Sequence, residues 1–435
     1  MKFVKIIAAG ALALAVSSAA SAATIRITGS TAFRKALYAG IVDQLGSGVV
    51  KAAFVGSAGG LAGSNQAVFT NGTDTVYCCM AGSSGGLNWT SHGLTVATDK
   101  DRTDPGSAWL LPSLAVATAT LTSPSAGVTG GTPITSPTAD DPAVYEAPAA
   151  ANVTMADTAQ NATQWSSLLG NPALTKVGTA VGIQQYVFAK GQQYDNVAAA
   201  SYARFTNITP LAFQTLAANG VANLALFTGN ASDTGIDVVL VGRDNDSGTR
   251  CVTNYETGNG TDQTTMTQYR AIAADGTTDV GTTGGSAVIN SLVNADLLSV
   301  GNPGLNGYAS GGFVKNALKA TGTPTSGVLS PNGNPAIIVA YVSTGDIPAV
   351  GQILSYNGVQ LYPSGVQAPV LSEQGQYSFW NPELMYQKGI SGATLTLATN
   401  IATKIRNGDV AASGGIQSTL MACSRPGEGA PIVHN

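Results

Sequence analysis

Arg243, Ser247, Gly248 and Thr249 stand within one short stretch, Gly235-Ile-Asp-Val-Val-Leu-Val-Gly-Arg-Asp-Asn-Asp-Ser-Gly-Thr-Arg250. Arg243 brings a planar fork of five N–H donors, and Ser247 and Thr249 bring hydroxyls. Gly248 lets backbone N–H groups come close to a ligand because no Cβ stands in the way. A helix beginning at Ser247 would add unpaired N–H groups and the positive end of its dipole. One tetrahedral oxyanion could be held there by backbone, hydroxyl and guanidinium together. The competing reading is a surface turn made by Asp244, Asn245, Asp246 and Gly248, with Arg243 in solvent.

Such a turn needs a rigid strand before it and a helix after it. Ile236 to Val241 is a β-branched apolar run of the length of a buried strand, ended by turn formers. A second strand–turn–helix stands near the start, where Thr24-Ile-Arg-Ile-Thr alternates and Gly29 breaks the run. Phe33, Leu37, Ile41 and Leu45 then recur at four-residue steps, with Ser30 or Thr31 as N-cap. Two further Gly-rich turns, Gly56-Ser-Ala-Gly-Gly and Gly82-Ser-Ser-Gly-Gly, look alike, and the second follows the better strand, Thr75 to Met80. Ala151 to Asp157 reads as a short strand closed by an acid, a position where an Asp commonly caps a helix.

The remaining elements alternate between the two periods. Val177 to Phe188 is β-rich, and Thr209-Pro210 opens a helix with Leu211, Leu216 and Ala217 as its apolar face and Asn219-Gly220 as its end. Gly304 to Val314 contains another Gly-rich helix start. Ala336 to Val342 is a buried strand, Tyr377-Ser-Phe-Trp a short aromatic one, and Ile390 to Arg406 carries Leu395, Leu397, Ile401 and Ile405 at helical spacing. Strands alternating with helices predict an α/β fold. Residues 99 to 150, rich in Thr, Ser and Pro, read as a long surface excursion, a hairpin or a lid.

Composition narrows the function. The 435 residues allow a large core and two or three domains, with only 10% charged residues and a net charge of -4. That balance supplies no basic footprint for nucleic acid or a membrane surface. Lys2 and Lys5, the apolar run Ile6 to Val16 and Ala20-Ser-Ala22 read as a secretory signal cleaved after Ala22. No later run has the roughly 18 apolar residues of a membrane span, so the mature chain is expected to be soluble and exported. Cys78, Cys79, Cys251 and Cys423 allow buried thiols or a disulfide, and their spacing does not suggest zinc. With His92 and His434 the only histidines, a phosphate-ester hydrolase would lack the usual base for a nucleophilic Ser. Neither an enzyme nor a cofactor is expected.

The order of these pieces resembles the phosphate-binding proteins of bacterial ABC importers, which are type 2 periplasmic binding proteins. The matching stretches are Ile27-Thr-Gly-Ser-Thr-Ala-Phe, Gly82-Ser-Ser-Gly-Gly, Asp157 at a strand end, Leu211 to Gly220, and Arg243-x-x-x-Ser247-Gly248-Thr249. The last is the most specific, and residues 99 to 150 have no counterpart. The resemblance implies a two-lobed α/β fold with a ligand cleft between the lobes. Lobe one would comprise 23–180 and 371–435, and lobe two 181–370, hinged near Val181 to Phe188 and Tyr377 to Trp380. It further implies that Ser30, Thr31 and Ala32 supply donors from lobe one and Ser83 a hydroxyl, with Ser57 the competing choice. Asp157 would accept the proton of phosphate, and Arg243, Ser247, Gly248 and Thr249 would form the lobe-two side. An Asp facing a fully deprotonated anion meets unscreened repulsion, so phosphate would be preferred over sulfate. The expected role is that of a monomeric periplasmic receptor for phosphate or a similar oxyanion, delivering to an ABC permease. The alternative is a surface-associated or structural protein that keeps the fold without a transport role.

Overall fold

The computed structural model describes residues 22–46, 50–55, 60–64, 66–80, 111–112, 117–119, 121, 131–134, 145–146, 151–162, 173–245, 247–261, 264–283, 288–297, 306–323 and 327–435. Most of the signal segment, Ser57, Ser83, the whole Gly82 turn and most of residues 99 to 150 lie outside them. The chain is mixed α/β. Its first strand, β1 (Thr24–Gly29), leads into α1 (Arg34–Leu45) and then into β2 (Lys51–Val55), β3 (Gln66–Thr70), β4 (Thr75–Cys79) and β5 (Val153–Ala156). The long strand β6 (Gly182–Lys190) follows, then α2 (Pro210–Asn219), β7 (Val221–Asn223), β8 (Asp237–Leu240), α3 (Gly248–Thr257), α4 (Gly311–Lys319) and β9 (Ala336–Ser343). The second long strand, β10 (Trp380–Gln387), and α5 (Gly392–Asn407) complete the main elements.

One mixed sheet runs through the molecule in the order β7-β8-β9-β6-β10-β5-β1-β4-β3-β2. Its middle is a crossing of two long strands. β6 pairs antiparallel with β10 through Gly182↔Glu383 to Gln185↔Trp380, then leaves it and pairs with β9 through Tyr186↔Ser343 to Lys190↔Val339. β10 in turn passes from β6 to β5, with Leu384 opposite Ala156. Both strands are almost wholly buried, and each carries buried polar side chains, Gln184, Gln185 and Lys190 in β6 and Asn381 and Glu383 in β10.

A hydrophobic core lies on each side of this crossing. The first packs β1, β4 and β5 against α1 and α5 through Ile25, Leu37, Ile41, Val153, Leu397, Ile401 and Ile405. The second packs β6, β8 and β9 against α2, α3 and α4 through Phe188, Phe213, Val239, Val252, Val314 and Ile338. The first core contains Val181 and Met385, and the second contains Tyr186 and Phe379, so the change of core falls inside both long strands.

Several sequence expectations need correction. Leu211 is 71% exposed, because the buried face of α2 is Phe213, Leu216 and Ala217, spaced three and four residues apart, and Leu211 lies off that stripe. Tyr377 and Phe379 are buried in the segment before β10, and the strand begins at Trp380. Of the two readings of the cysteines, buried thiols is the one that holds for all four. Within the excursion, Thr132–Ile134 pairs with β2 as a short edge strand.

Candidate functional site

β1 ends at Gly29, whose φ is 126° and whose Cα packs against the β5 backbone so closely that a Cβ would meet Met155 O at 2.0 Å. Only glycine fits that approach. It delivers the following turn to the end of β5, where Ser30 N–H donates to Met155 O at 3.0 Å and Ser30 Oγ bonds to Asp157 Oδ1. Ser30 therefore does not cap α1, and neither does Thr31. The residue ahead of the helix is Phe33, with no side-chain cap. The N–H groups of Thr31 and Ala32 have no intrachain acceptor among the described residues, so the turn ahead of α1 retains two donors.

The other side of the site is built by β8 and α3. Ser247 caps α3, its Oγ accepting from Arg250 N at 3.3 Å. Gly248 N–H and Thr249 N–H head the helix and have no intrachain acceptor among the described residues. Arg243 is buried, and its guanidinium is held in place by Tyr308 O at 3.1 Å, Ala309 O at 3.0 Å and Thr249 Oγ1 at 3.5 Å. Arg243 also bridges Tyr308 backbone to backbone. The fork is thus oriented by neutral acceptors, and its positive charge is left to act on the site.

Asp157 joins the two sides. A Cβ on Gly248 would stand 2.7 Å from both Asp157 Cβ and Oδ2, so the α3 start lies directly against the carboxyl that Ser30 touches. Asn381 Nδ2, from β10, donates to Asp157 O at 2.7 Å and holds the end of β5 in place. Burial raises the Asp157 carboxyl above its usual range, against the opposing pull of Ser30, of Glu383 and of the Arg243 charge.

Of the nine sequence-derived site residues, Ser30 reaches the Asp157 carboxyl by a hydrogen bond, Gly248 by close packing and Arg243 by its charge, and Thr31, Ala32, Ser247 and Thr249 stand beside these along the chain. Ser83 lies outside the described residues. The other Gly-rich helix start, at α4, faces a group of the chain itself: the Asp346 carboxylate lies against Gly311 and accepts from Ser343 Oγ at 3.2 Å. Glu383 and Asn381 are site residues that sequence reasoning missed. The available signal was a lone acid inside a strand that is otherwise buried, Trp380-Asn-Pro-Glu-Leu-Met-Tyr-Gln.

No metal-binding cluster of His, Cys, Asp and Glu exists among the described residues, and no described helix is long and apolar enough to cross a membrane.

No family model matches the chain, and no curated protein matches its sequence. Among solved structures it is similar to a protein from Clostridium perfringens described as a phosphate ABC transporter substrate-binding protein, crystallised with bound phosphate. That similarity has 12% identity over 91% of this chain and 99% of the other, with a TM-score of 0.42. It is similar also to PstS from Borrelia burgdorferi, at 12% identity over 91% and 98% of the two chains and a TM-score of 0.37. A third similarity is to a protein from Planctomyces limnophilus described as a phosphate binding protein, at 10% identity over 92% and 95% and a TM-score of 0.37. Scores at this level carry no argument about the site, and what it can do rests on its own geometry.

Proposed function

We propose that this chain is an exported binding protein for phosphate or a similar tetrahedral oxyanion, which it takes up between two lobes that close about Asp157. The observation that carries the reading is the convergence of the turn ahead of α1 and the start of α3 on one buried carboxyl beside the Arg243 guanidinium. The N–H groups of Thr31, Ala32, Gly248 and Thr249, which have no acceptor among the described residues, and the Arg243 charge suit an anion. Asp157 suits a proton on that anion, because a carboxylate accepts a hydrogen bond from P–OH and repels a ligand that has none to give.

The lobes are residues 23–180 with 371–435, and 181–370, hinged where β6 and β10 exchange partners. A crossing of two strands permits rotation with small φ/ψ changes at a few residues. The protein acts as a monomer, delivers its ligand to an ABC-type permease, and binds rather than catalyses.

The test is thermal unfolding of residues 23–435 with phosphate and with sulfate at matched ionic strength. A ligand present at 100 times its Kd adds about 2.7 kcal/mol to the folded state. A higher Tm with phosphate alone is the expected outcome. A rise with both anions would remove the discriminating role of Asp157, and a rise with neither would remove the anion site. Turnover of a chromogenic phosphate ester would overturn the non-enzymatic part of the reading.

A further inference from the structure

Glu383 is fully buried, in the stretch of β10 that faces β6, and neither of its carboxyl oxygens has a protein donor among the described residues. A buried ionised carboxylate with no donor is one of the costliest arrangements a protein can hold. The antiparallel register that sets Leu384 opposite Ala156 places Glu383 opposite Asp157, where the two carboxyl groups interact with each other. Two carboxyl groups can share a hydrogen bond only if a proton lies between them. Two adjacent carboxylates out of water do not both ionise.

The surroundings decide where that proton stays. Asp157 has Ser30 Oγ on one oxygen and the Arg243 charge nearby, and both favour its ionised form. Glu383 has neither. The other charged or titratable groups facing the pair are Asp346 after β9, which opposes ionisation of Asp157, Glu428 from the C-terminal segment and the buried Tyr186 of β6. None of these is a cation that would stabilise an ionised Glu383.

We propose that Glu383 is a specificity-determining residue of the oxyanion site. It carries one proton, donates it in a hydrogen bond to Asp157, and so keeps Asp157 an acceptor that admits only oxyanions bringing a proton of their own. This rests on the oxyanion-binding reading above. Burial pushes the Glu383 carboxyl well above its usual range, with the Asp157 charge adding to the effect. Loss of the shared proton at high pH gives the pair a second negative charge, which repels any anion. A second proton at low pH turns Asp157 into a donor, and the site then accepts an anion without a proton, such as sulfate.

Glu383→Gln tests this, because its amide donates to Asp157 permanently and does not titrate. Infrared difference spectra of the ligand-free proteins at neutral pH should show a protonated-carboxyl C=O band in the wild type that the variant lacks. Calorimetry with inorganic phosphate across neutral to alkaline pH should show the variant within a few-fold of the wild type at neutral pH. Above the point where the pair loses its proton, wild-type affinity should fall by about a further tenfold per pH unit, and the variant should lack that fall. The titration of phosphate itself is common to both proteins and cancels. Identical carboxyl bands or identical pH profiles would overturn the proposal. Absence of phosphate binding by the wild type would instead defeat the functional reading, and the infrared comparison would still decide whether the proton is there. Should Glu383→Gln fail to fold, Asp157→Asn serves for the infrared arm, where removing the acceptor should shift the Glu383 band and an unmoved band would count against the pair.

Discussion

The Gly248 Cα and the Asp157 carboxyl are packed so closely that a single added methyl group would stand 2.7 Å from Oδ2. The start of a helix from one half of the sheet thereby seals against an acid from the other half. This contact brings the turn ahead of α1 and the start of α3 to one carboxyl.

Gly248→Ala should hold the two sides apart. Its helix position tolerates alanine, which has the better helix propensity, so secondary structure by circular dichroism should be unchanged. The phosphate-dependent rise in Tm should vanish. A full rise in Gly248→Ala would show that the contact is not needed for binding.

Arg243→Ala should weaken phosphate binding by at least about a hundredfold, near 3 kcal/mol, because it removes the charge that the buried anion needs. Arg243→Lys keeps the charge but loses the fork that Tyr308 O and Ala309 O orient, so it should recover only part. Titration calorimetry separates the two, and unchanged affinity in the alanine variant would remove Arg243 from the site.

Two neighbouring residues on α2 should behave oppositely in urea unfolding. Phe213 is fully buried and packs on Phe188 with ring centroids 5.1 Å apart, so Phe213→Ala should cost about 3–5 kcal/mol. Leu211 is exposed, and Leu211→Ala should stay within about 0.5 kcal/mol.

The C-terminal segment is fastened to α3 by a buried ion pair, Arg425 Nη2 to Glu256 Oε2 at 2.6 Å, with the guanidinium stacked 5.0 Å over Trp380. Removing one partner leaves the other charge buried, so Arg425→Met should cost about 3–5 kcal/mol. Replacing both with methionine should recover most of that loss, and the double-mutant cycle measures the coupling.

Asp409, half-buried after α5, is pushed up to about 6 by burial and by Asp43, against the opposing charge of Lys404. A carboxyl raised on folding binds its proton more tightly in the native state, so its contribution is present below the unfolded-state value and lost as pH rises to about 6. The wild-type Tm should therefore decline across that interval relative to Asp409→Asn. Parallel Tm profiles would show that the group does not titrate there.

The elements that make the site were legible in sequence because each is a local pattern. The β1–turn–α1 unit, the β8–turn–α3 unit with Ser247 as cap and the acid closing β5 follow from apolar periodicity and turn chemistry over a few residues. Glu383 was not legible: a single acid in a strand carries no sign of what it faces, and it lies 226 positions from Asp157. The cap role of Ser30 and Thr31 was misread for a related reason, since both are good caps by type, yet the Gly29 approach to Met155 turns the Ser30 hydroxyl to Asp157. Leu211 failed as a core residue because one exposed leucine fits the composition of a helix without fitting its stripe.

By itself, then, the amino-acid sequence determined which segments become strands and helices and which turns carry anion-favouring donors, since these depend on propensity, capping and spacing along the chain. The tertiary structure alone decided that the turn ahead of α1 and the start of α3 share one carboxyl, that Arg243 is oriented by Tyr308 and Ala309, and that a second buried acid stands beside Asp157. Those facts depend on the sheet order and on the register of β6 and β10 across long separations, where pairing is selected by the packing of the whole core.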